Sequence, residues 1–280
     1  MDVVVDPEWV SDHLGDVILA DVRWYLDGRS GRAAFEASHL PGALFVDLDR
    51  DLTTHGEPTA GRHPLPTAAA FAESMGRLGI GDDDVVVAYD DSGGGTAGRL
   101  VWMLLRSGHQ AALLDGGLAA WAGPRESGPS GERPVAAFTT RPWPADALVD
   151  TATVAAIAAS GDAPLLDARA PERYRGETET VDARAGHIPG ATSAPWQANL
   201  DPATGRFRPR DALRARFEAL GARPDATVVA YCGSGVSACA NLLALELAGF
   251  ADTRLYVASW SGWSADPERP AATGDDGAPE

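Results

Sequence analysis

The chain lacks lysine altogether and contains few cysteines. All 23 basic residues are arginine. A Schiff-base lysine, a P-loop lysine and a lysine general base are therefore excluded, and any bound anion must be held by arginine, backbone amides or hydroxyls. The two cysteines, Cys232 and Cys239, are too few for a disulfide framework or a cysteine-rich zinc site. No histidine has metal-ligand spacing, and we expect neither a metal nor a cofactor.

Long apolar runs and a basic leader are also missing. No stretch approaches the roughly 18 consecutive apolar residues of a membrane span, and the first eight residues contain no basic side chain. We therefore expect a cytoplasmic protein that has no membrane partner. The net charge of -17 argues against nucleic acid and anionic lipid surfaces as partners.

An internal repeat organises what is present. The two halves match at a spacing of about 142–148 residues. Four pairs of segments carry the match: 17–23 with 164–169, 38–43 with 186–191, 84–90 with 226–232, and 113–121 with 255–263. Short apolar runs without strict alternation, separated by helical stretches, are typical of a parallel sheet that is covered on both faces. We predict an α/β fold of two tandem domains, each a mostly parallel sheet with helices on both faces.

Composition suggests where these domains begin and end. The length of 280 residues is typical of two domains. Residues 123–146 are rich in proline, glycine and serine and read as a linker. We therefore assign the first domain to 1–122 and the second to 147–267. The polar residues 268–280 are expected to form a mobile tail.

The segment 227–241 indicates a reactive cysteine. A short apolar strand ends at Cys232, and a loop containing Gly233 and Gly235 leads into a helix rich in Ala and Leu. Loop amides and the free N–H groups of the helix can point at the sulfur, and the helix dipole favours negative charge there by roughly 0.3–1 kcal/mol. The glycines permit the backbone torsions that such a loop needs. The alternative is a small core cysteine beside a tight turn.

The first half differs at this position. Asp90 stands where the second half has Cys232. An aspartate cannot act as a sulfur nucleophile, so the first domain is expected to be a scaffold for chemistry in the second.

Together these residues resemble the tandem-domain rhodanese (sulfurtransferase) family. The resemblance covers roughly residues 2–267 and rests on the duplicated Asp-x-Arg, His-x-Pro-Gly and strand–loop–helix elements in order. It implies that Cys232 takes a sulfane sulfur from a small anionic donor, forms a persulfide, and passes the sulfur to a thiol or cyanide acceptor with ping-pong kinetics. A thioredoxin-like protein is one acceptor that such chemistry would suit.

The loop sequence bears on the donor. It reads Cys-Gly-Ser-Gly-Val-Ser from Cys232 to Ser237, and it resembles the Cys-Gly-Ser-Gly-Val-Thr loops that go with 3-mercaptopyruvate. Thiosulfate, a dianion, goes with Cys-Arg-Lys-Gly-Val-Thr loops, and this loop has no cation. We expect 3-mercaptopyruvate as donor; a thiosulfate sulfurtransferase and a persulfide carrier for a protein partner stay open as alternatives. Phosphatases of the same fold need an arginine where this chain has Ala238.

The resemblance also suggests which residues contact the donor. Arg173 matches the arginine that binds the anionic end of the donor, and a planar guanidinium suits a carboxylate. Arg169 and Arg184 are weaker candidates for the same contact. The remaining substrate-binding candidates lie in the loop after the cysteine: Gly233, Gly235, Val236 and Ser237.

A proton relay is suggested by the same resemblance. Ser234 can donate a hydrogen bond or relay a proton to the departing group, and His39 matches the histidine proposed to assist it. The alternative for His39 is a role in stabilising a turn, because His187 occupies the same place in the second half.

Overall fold

The computed structural model describes residues 1–131 and 133–275. These residues form two compact units. The first unit contains 1–54, 65–144 and 200–207, and the second contains 55–64, 145–199 and the chain from 208 onward. Each unit therefore includes a short segment from the other half of the sequence. Within the described ranges, no helix has both the length and the apolar composition needed to cross a bilayer.

The first unit is built on a five-stranded parallel sheet of order β1-β5-β4-β2-β3. Its strands are β1 (Val4–Val5), β2 (Val17–Asp21), β3 (Leu44–Phe45), β4 (Val85–Tyr89) and β5 (Gln110–Leu114). Its helices are α1 (Pro7–Asp12), α2 (Gly31–Ala37), α3 (Leu48–Asp51), α4 (Ala68–Arg77), α5 (Ala97–Arg106) and α6 (Gly117–Ala120). Side-chain caps fix several helix starts, as where Ser30 accepts from the amide of Ala33 at 3.1 Å.

The second unit repeats this architecture with the sheet order β6-β10-β9-β7-β8. Its strands are β6 (Leu148–Val149), β7 (Leu165–Asp167), β8 (Thr192–Ser193), β9 (Val228–Tyr231) and β10 (Thr253–Tyr256). Its helices are α7 (Thr151–Ser160), α8 (Pro171–Tyr174), α9 (Arg210–Ala219), α10 (Ala238–Leu247) and α11 (Ser259–Ala265). Short 3-10 helices lie at Pro58–Ala60, Ala145–Ala147 and Trp196–Asn199. The prediction of two parallel-sheet α/β domains is confirmed.

The central strands are buried on both faces, which explains their continuous apolar sequence. Tyr89 at the end of β4 and Tyr231 at the end of β9 are fully buried. Each phenol oxygen accepts a backbone amide, from Leu40 at 3.0 Å and from Ile188 at 3.2 Å. A buried hydroxyl needs such a partner, and here it ties the turn after a helix to the centre of the sheet.

The Asp-x-Arg motifs form buried ion pairs in both units. Asp21 holds Arg23, whose Nη2 also donates to the carbonyl of Ser38 at 2.7 Å. Asp167 holds Arg169 in the same way, and Nη2 of Arg169 donates to the carbonyl of Gly186 at 2.7 Å. The pairs anchor the segment that leads into each His-x-Pro-Gly turn, so their repetition follows from the fold.

The segment expected to be a linker packs on the first unit. Glu126 pairs with His39 through both backbone amides at 2.9 Å, and Ala136 donates to the carbonyl of Gly76 at 3.0 Å. The amide of Thr139 donates to the carboxylate of Asp82 at 2.7 Å. These backbone bonds fix a proline-rich stretch that has little apolar periodicity of its own.

The segment expected to be a mobile tail is partly bonded. Ala272 is buried and forms a bridge with His187, and the carbonyl of Pro270 accepts from the Trp263 indole at 2.7 Å. The amide of Gly274 donates to the carbonyl of Arg175 at 3.0 Å. Residues 268–275 thus differ from the expectation because they complete the second unit. The rest of the predicted tail, 276–280, lies outside the described residues.

Candidate active site

Cys232 follows the last residue of β9 and is buried, with 2% of its surface exposed. Its amide donates to Oγ of Ser259 at 3.2 Å, and its carbonyl accepts from the amide of Trp260 at 2.9 Å. Ser259 is the only described non-glycine residue with positive φ, at 53°. An L-residue in that region is strained. In this conformation the hydroxyl of Ser259 can accept from the amide of Cys232.

The equivalent loop of the first unit holds a carboxylate. Asp90 replaces the cysteine and is 1% exposed. Its two carboxylate oxygens accept from the amides of Ser92, Gly94, Thr96 and Ala97 at 2.8–2.9 Å. The loop therefore directs several amides at one negatively charged side chain at the start of a helix. The loop after Cys232 matches it in sequence but not throughout in backbone. Gly94 has φ 106°, whereas its counterpart Val236 has no positive φ. The amide of Cys239, the counterpart of Ala97, donates to the carbonyl of Val236 at 3.1 Å.

The two glycines of the loop after Cys232 are required for different physical reasons. Gly235 has φ 76° and lies in the left-handed region that favours glycine. Gly233 does not have positive φ, and the torsional reason given for it from the sequence does not hold. A Cβ at Gly233 would instead lie 2.9 Å from Nη2 of Arg62. Val236 is buried and Ser237 is the N-cap residue of α10, without a side-chain capping bond.

Ser234 contacts a histidine that the sequence did not single out. Oγ of Ser234 lies 2.7 Å from Nδ1 of His63, and both side chains are buried. His63 ends a segment that packs on α11, where the amide of Arg62 donates to Oγ of Ser261 at 3.0 Å. The pair can pass a proton, since hydroxyl and imidazole are within hydrogen-bond reach.

His39 makes no such contact. Its Nδ1 lies 2.8 Å from the carbonyl of Phe35, and its ring stacks on Phe35 at 3.9 Å. His187 repeats this arrangement on Tyr174, with 2.8 Å to the carbonyl and 3.7 Å between rings. The turn-stabilising alternative therefore accounts for both histidines, because each closes the helix before its His-x-Pro-Gly turn.

Arg173 lies at the loop after Cys232, within a network of charged side chains that includes the buried Glu179 and Asp182. Its Nη2 donates to Asp182 at 2.8 Å and to Glu179 at 2.9 Å. Nη1 of Arg62 donates to the other oxygen of Asp182. Nη1 of Arg173 lies 3.5 Å from the position of a Cβ on Gly233. Two guanidinium groups thus flank the residue that follows the cysteine.

The other two arginine candidates make structural contacts, although within the described residues the buried Nη1 of Arg169 has no hydrogen-bond partner. Arg169 is buried against Asp167, and although burial lowers its pKa, the charge of Asp167 raises it further, to above its usual value. Arg184 donates to four backbone carbonyls at 2.8–3.3 Å, those of Trp263, Ser264, Asp266 and Arg269. Each of its three nitrogens donates to at least one of these carbonyls, and none of these bonds goes to the loop after Cys232.

Arg62 and His63 were missed because their partners Asp182 and Ser234 lie 120 and 171 positions away along the chain. A signal was present. Gly61-Arg62-His63 has a counterpart in Gly205-Arg206-Phe207, so the repeat retains glycine and arginine but replaces the histidine. A buried thiol, two guanidinium groups at the residue that follows it, and a hydroxyl–imidazole pair can together attack a small anionic electrophile and protonate what leaves.

Comparison with known proteins agrees with this chemistry. The family model described as "Rhodanese-like domain" matches residues 6–124 and 150–266. A Pseudomonas aeruginosa protein named "Probable 3-mercaptopyruvate sulfurtransferase" is 46% identical over 266 residues, which are 93% of each chain. A Mycobacterium tuberculosis protein named "Putative thiosulfate sulfurtransferase SseB" is 41% identical over 264 residues, 92% of this chain and 91% of the other.

A solved structure extends the similarity to three dimensions. The crystal structure of SseA from Escherichia coli, presented as a 3-mercaptopyruvate sulfotransferase, superimposes with a TM-score of 0.81 at 31% identity. The match covers 93% of this chain and 99% of SseA.

Proposed function

The chain belongs to the rhodanese-like family, and the relatives to which it is similar are named as sulfurtransferases. We propose that it moves sulfur from 3-mercaptopyruvate to a thiol or cyanide acceptor through a persulfide on Cys232. The observation that carries the proposal is the position of Cys232. It occupies the place where the equivalent loop of the first unit binds a carboxylate through four amides. The loop after Cys232 can stabilise a thiolate and then a persulfide anion.

In the first half-reaction, the thiolate of Cys232 attacks the sulfur of the donor. A sulfur–sulfur bond forms while the carbon–sulfur bond of the donor breaks. The electron pair of the broken bond leaves with carbon, as the enolate of pyruvate, which then takes up a proton. Ser234 and His63, in contact at 2.7 Å, can deliver that proton. The carboxylate of the donor pairs with Arg173, for which a planar guanidinium is suited.

In the second half-reaction, the acceptor attacks the outer sulfur of the persulfide. The sulfur–sulfur bond breaks and its electron pair returns to Cys232, which regenerates the thiolate. Cyanide becomes thiocyanate, and a thiol becomes a persulfide. If the acceptor carries a second thiol, as a thioredoxin-like protein does, that thiol displaces hydrosulfide and forms a disulfide. This acceptor and a cytoplasmic location remain predictions from the sequence.

Thiosulfate is the second candidate donor, and one observation favours it. Although the loop sequence contains no cation, Arg62 lies beside Gly233 and supplies a positive charge at the start of the loop. The charge argument against a dianion is therefore weaker than the loop sequence alone suggests. The Ser234–His63 pair favours 3-mercaptopyruvate, because a carbon leaving group needs a proton and sulfite does not.

Paired steady-state kinetics test the proposal. We expect a higher kcat/KM with 3-mercaptopyruvate than with thiosulfate, cyanide being the acceptor, and no turnover by Cys232→Ala. Parallel initial-rate lines would indicate the ping-pong order. Full activity in Cys232→Ser would rule out the persulfide. A preference for thiosulfate would assign the second donor, and a persulfide on Cys232 without turnover would identify a carrier.

A further inference from the structure

Resting on the proposed function, we propose that Arg62 is a second donor-binding residue, which supplies from outside the loop the positive charge that the loop sequence lacks. Asp182 is the positioning residue that holds Arg62 and Arg173 together at the loop. Arg62 lies 120 positions from Asp182 along the chain, so no local sequence pattern connects the two residues.

The geometry directs Arg62 toward the reacting sulfur. A Cβ on Gly233, the residue after Cys232, would lie 2.9 Å from Nη2 of Arg62. Burial lowers the pKa of Arg62 from its usual value, whereas the Coulombic interaction with Cys232 raises it. A guanidinium this close to the nucleophile also meets any anion that delivers sulfur to it.

Arg62 has donor capacity to spare. Its Nη1 donates to Asp182, whereas its buried Nε has no hydrogen-bond partner within the described ranges. A buried N–H without a partner costs free energy unless a ligand satisfies it. The side chain as a whole is 28% exposed, so a small anion can reach part of it, although Nε itself is buried. We expect a donor carboxylate that binds there to pair with the guanidinium, and with Nε if the side chain turns toward it.

Asp182 explains how two like charges are held side by side. Its carboxylate is 1% exposed and bonds both guanidinium groups, and Glu179 adds a second carboxylate to Arg173. In the free protein these acids balance the arginines, which would otherwise repel each other. An incoming donor can use the N–H groups that Asp182 leaves unoccupied, but the negative charge of Asp182 opposes its approach. Removing Asp182 should strengthen the attraction for anions even as it loosens the geometry.

Alkylation of Cys232 measures this attraction without sulfur transfer. Iodoacetate is an anion and iodoacetamide is neutral, and both react with the same thiolate. The ratio of their rates at one pH therefore cancels any change in thiolate fraction. We expect Arg62→Gln to lower this ratio by about 10-fold, as for loss of one charge-assisted hydrogen bond. Asp182→Asn should raise the ratio.

Arg175→Gln is the matched control. Arg175 lies in the same unit and pairs with the exposed Glu177 at 2.7 Å, away from the loop contacts described above. Its removal should leave the rate ratio and kcat/KM unchanged within about 2-fold. Cys239 is fully buried, and Cys232→Ser provides the background rate.

Donor kinetics complete the test. Arg62→Gln should lower kcat/KM by about 10- to 100-fold, through KM, and more for dianionic thiosulfate than for 3-mercaptopyruvate. Arg62→Lys should recover part of the loss, since it keeps the charge and loses the planar fork.

Opposite shifts of the rate ratio in Arg62→Gln and Asp182→Asn would support the proposal, because a purely structural role predicts no such pair of signs. An unchanged ratio in both folded variants would overturn it. If Arg62→Gln does not fold, Asp182→Asn and Arg62→Lys still decide. If the wild type turns over neither donor, the proposed function fails, while the alkylation ratio still tests Arg62.

Discussion

Replacing Asp90 tests whether the repeated loop requires a negative charge at its centre. In Asp90→Asn one carboxylate oxygen becomes an NH₂ group that faces backbone N–H donors. Oδ1 accepts two amides, from Ser92 and Gly94, and Oδ2 accepts two amides and the Thr96 hydroxyl. Whichever way the amide turns, at least two charge-assisted bonds are lost.

Each such bond contributes about 1.5–3 kcal/mol, so the expected loss of unfolding free energy is about 3–6 kcal/mol. This is a large fraction of the roughly 5–15 kcal/mol by which proteins are stable. Urea denaturation followed by tryptophan fluorescence measures this loss, and we expect a lower unfolding midpoint.

Asp91→Asn is the neighbouring control. Asp91 accepts one exposed hydrogen bond, from Tyr25 at 2.6 Å, and its replacement should cost at most about 1 kcal/mol. If Asp90→Asn costs no more than Asp91→Asn, the loop does not require an anion. The comparison between this loop and the one after Cys232 would then lose its basis, and with it the main support for a stabilised persulfide.

Three further predictions concern the second unit. Ser259→Gly should be more stable than Ser259→Ala by about 1 kcal/mol in urea denaturation, because both lose the hydroxyl and only glycine relieves the positive φ; the reverse order would refute the strain. Ser234→Ala and His63→Asn should each lower kcat with 3-mercaptopyruvate by about 10- to 100-fold, and less with thiosulfate. The double variant should be no slower than the slower single variant if the two act as a unit, and additive losses would contradict this. Burial lowers the pKa of His187 below its usual 6.5, so the unfolded chain takes up a proton that the folded chain resists. Unfolding free energy should therefore fall as pH drops below about 6.5, and His187→Asn should remove part of that slope in denaturations at several pH values.

The fold was predictable because its signals are local. Short apolar strands, intervening helices and a repeat of matching motifs indicate two parallel sheets, and the structure confirms them. The resemblance to rhodaneses is likewise confirmed by the family match over 6–124 and 150–266. These signals lie within single strands, turns and helices, so neighbouring residues carry them.

The candidate site was less predictable because several of its contacts are distant in sequence. His63 and Ser234 are 171 positions apart, and no spacing rule connects them. His39 was a candidate because it stands in a His-x-Pro-Gly motif. The motif is duplicated because both His39 and His187 bond a backbone carbonyl of the preceding helix. Arg184 similarly stands beside the His-x-Pro-Gly turn, but backbone carbonyls take up its guanidinium.

Comparison of the two halves distinguishes scaffold from chemistry within one chain. Features that recur hold each fold together, as the stacked histidines and the buried Asp-x-Arg pairs do. Features that differ gather around the sulfur. Three such differences are Cys232 against Asp90, His63 against Phe207, and Ser259 against Gly117. A duplicated fold keeps what both copies need, so a difference at matched positions indicates a task that only one copy performs.

Arg62 shows why residue identity alone is not enough for this comparison. Its counterpart Arg206 is also an arginine, yet the surroundings differ. Arg206 lies 3.9 Å from Glu8, whose side chain is largely exposed, whereas Arg62 bonds the buried Asp182. In the first unit the loop already holds the fixed charge of Asp90, and a nearby guanidinium has no ligand to bind. In the second unit the loop begins at the thiol of Cys232, so Arg62 can pair with a negative charge that arrives with the donor and leaves with the product.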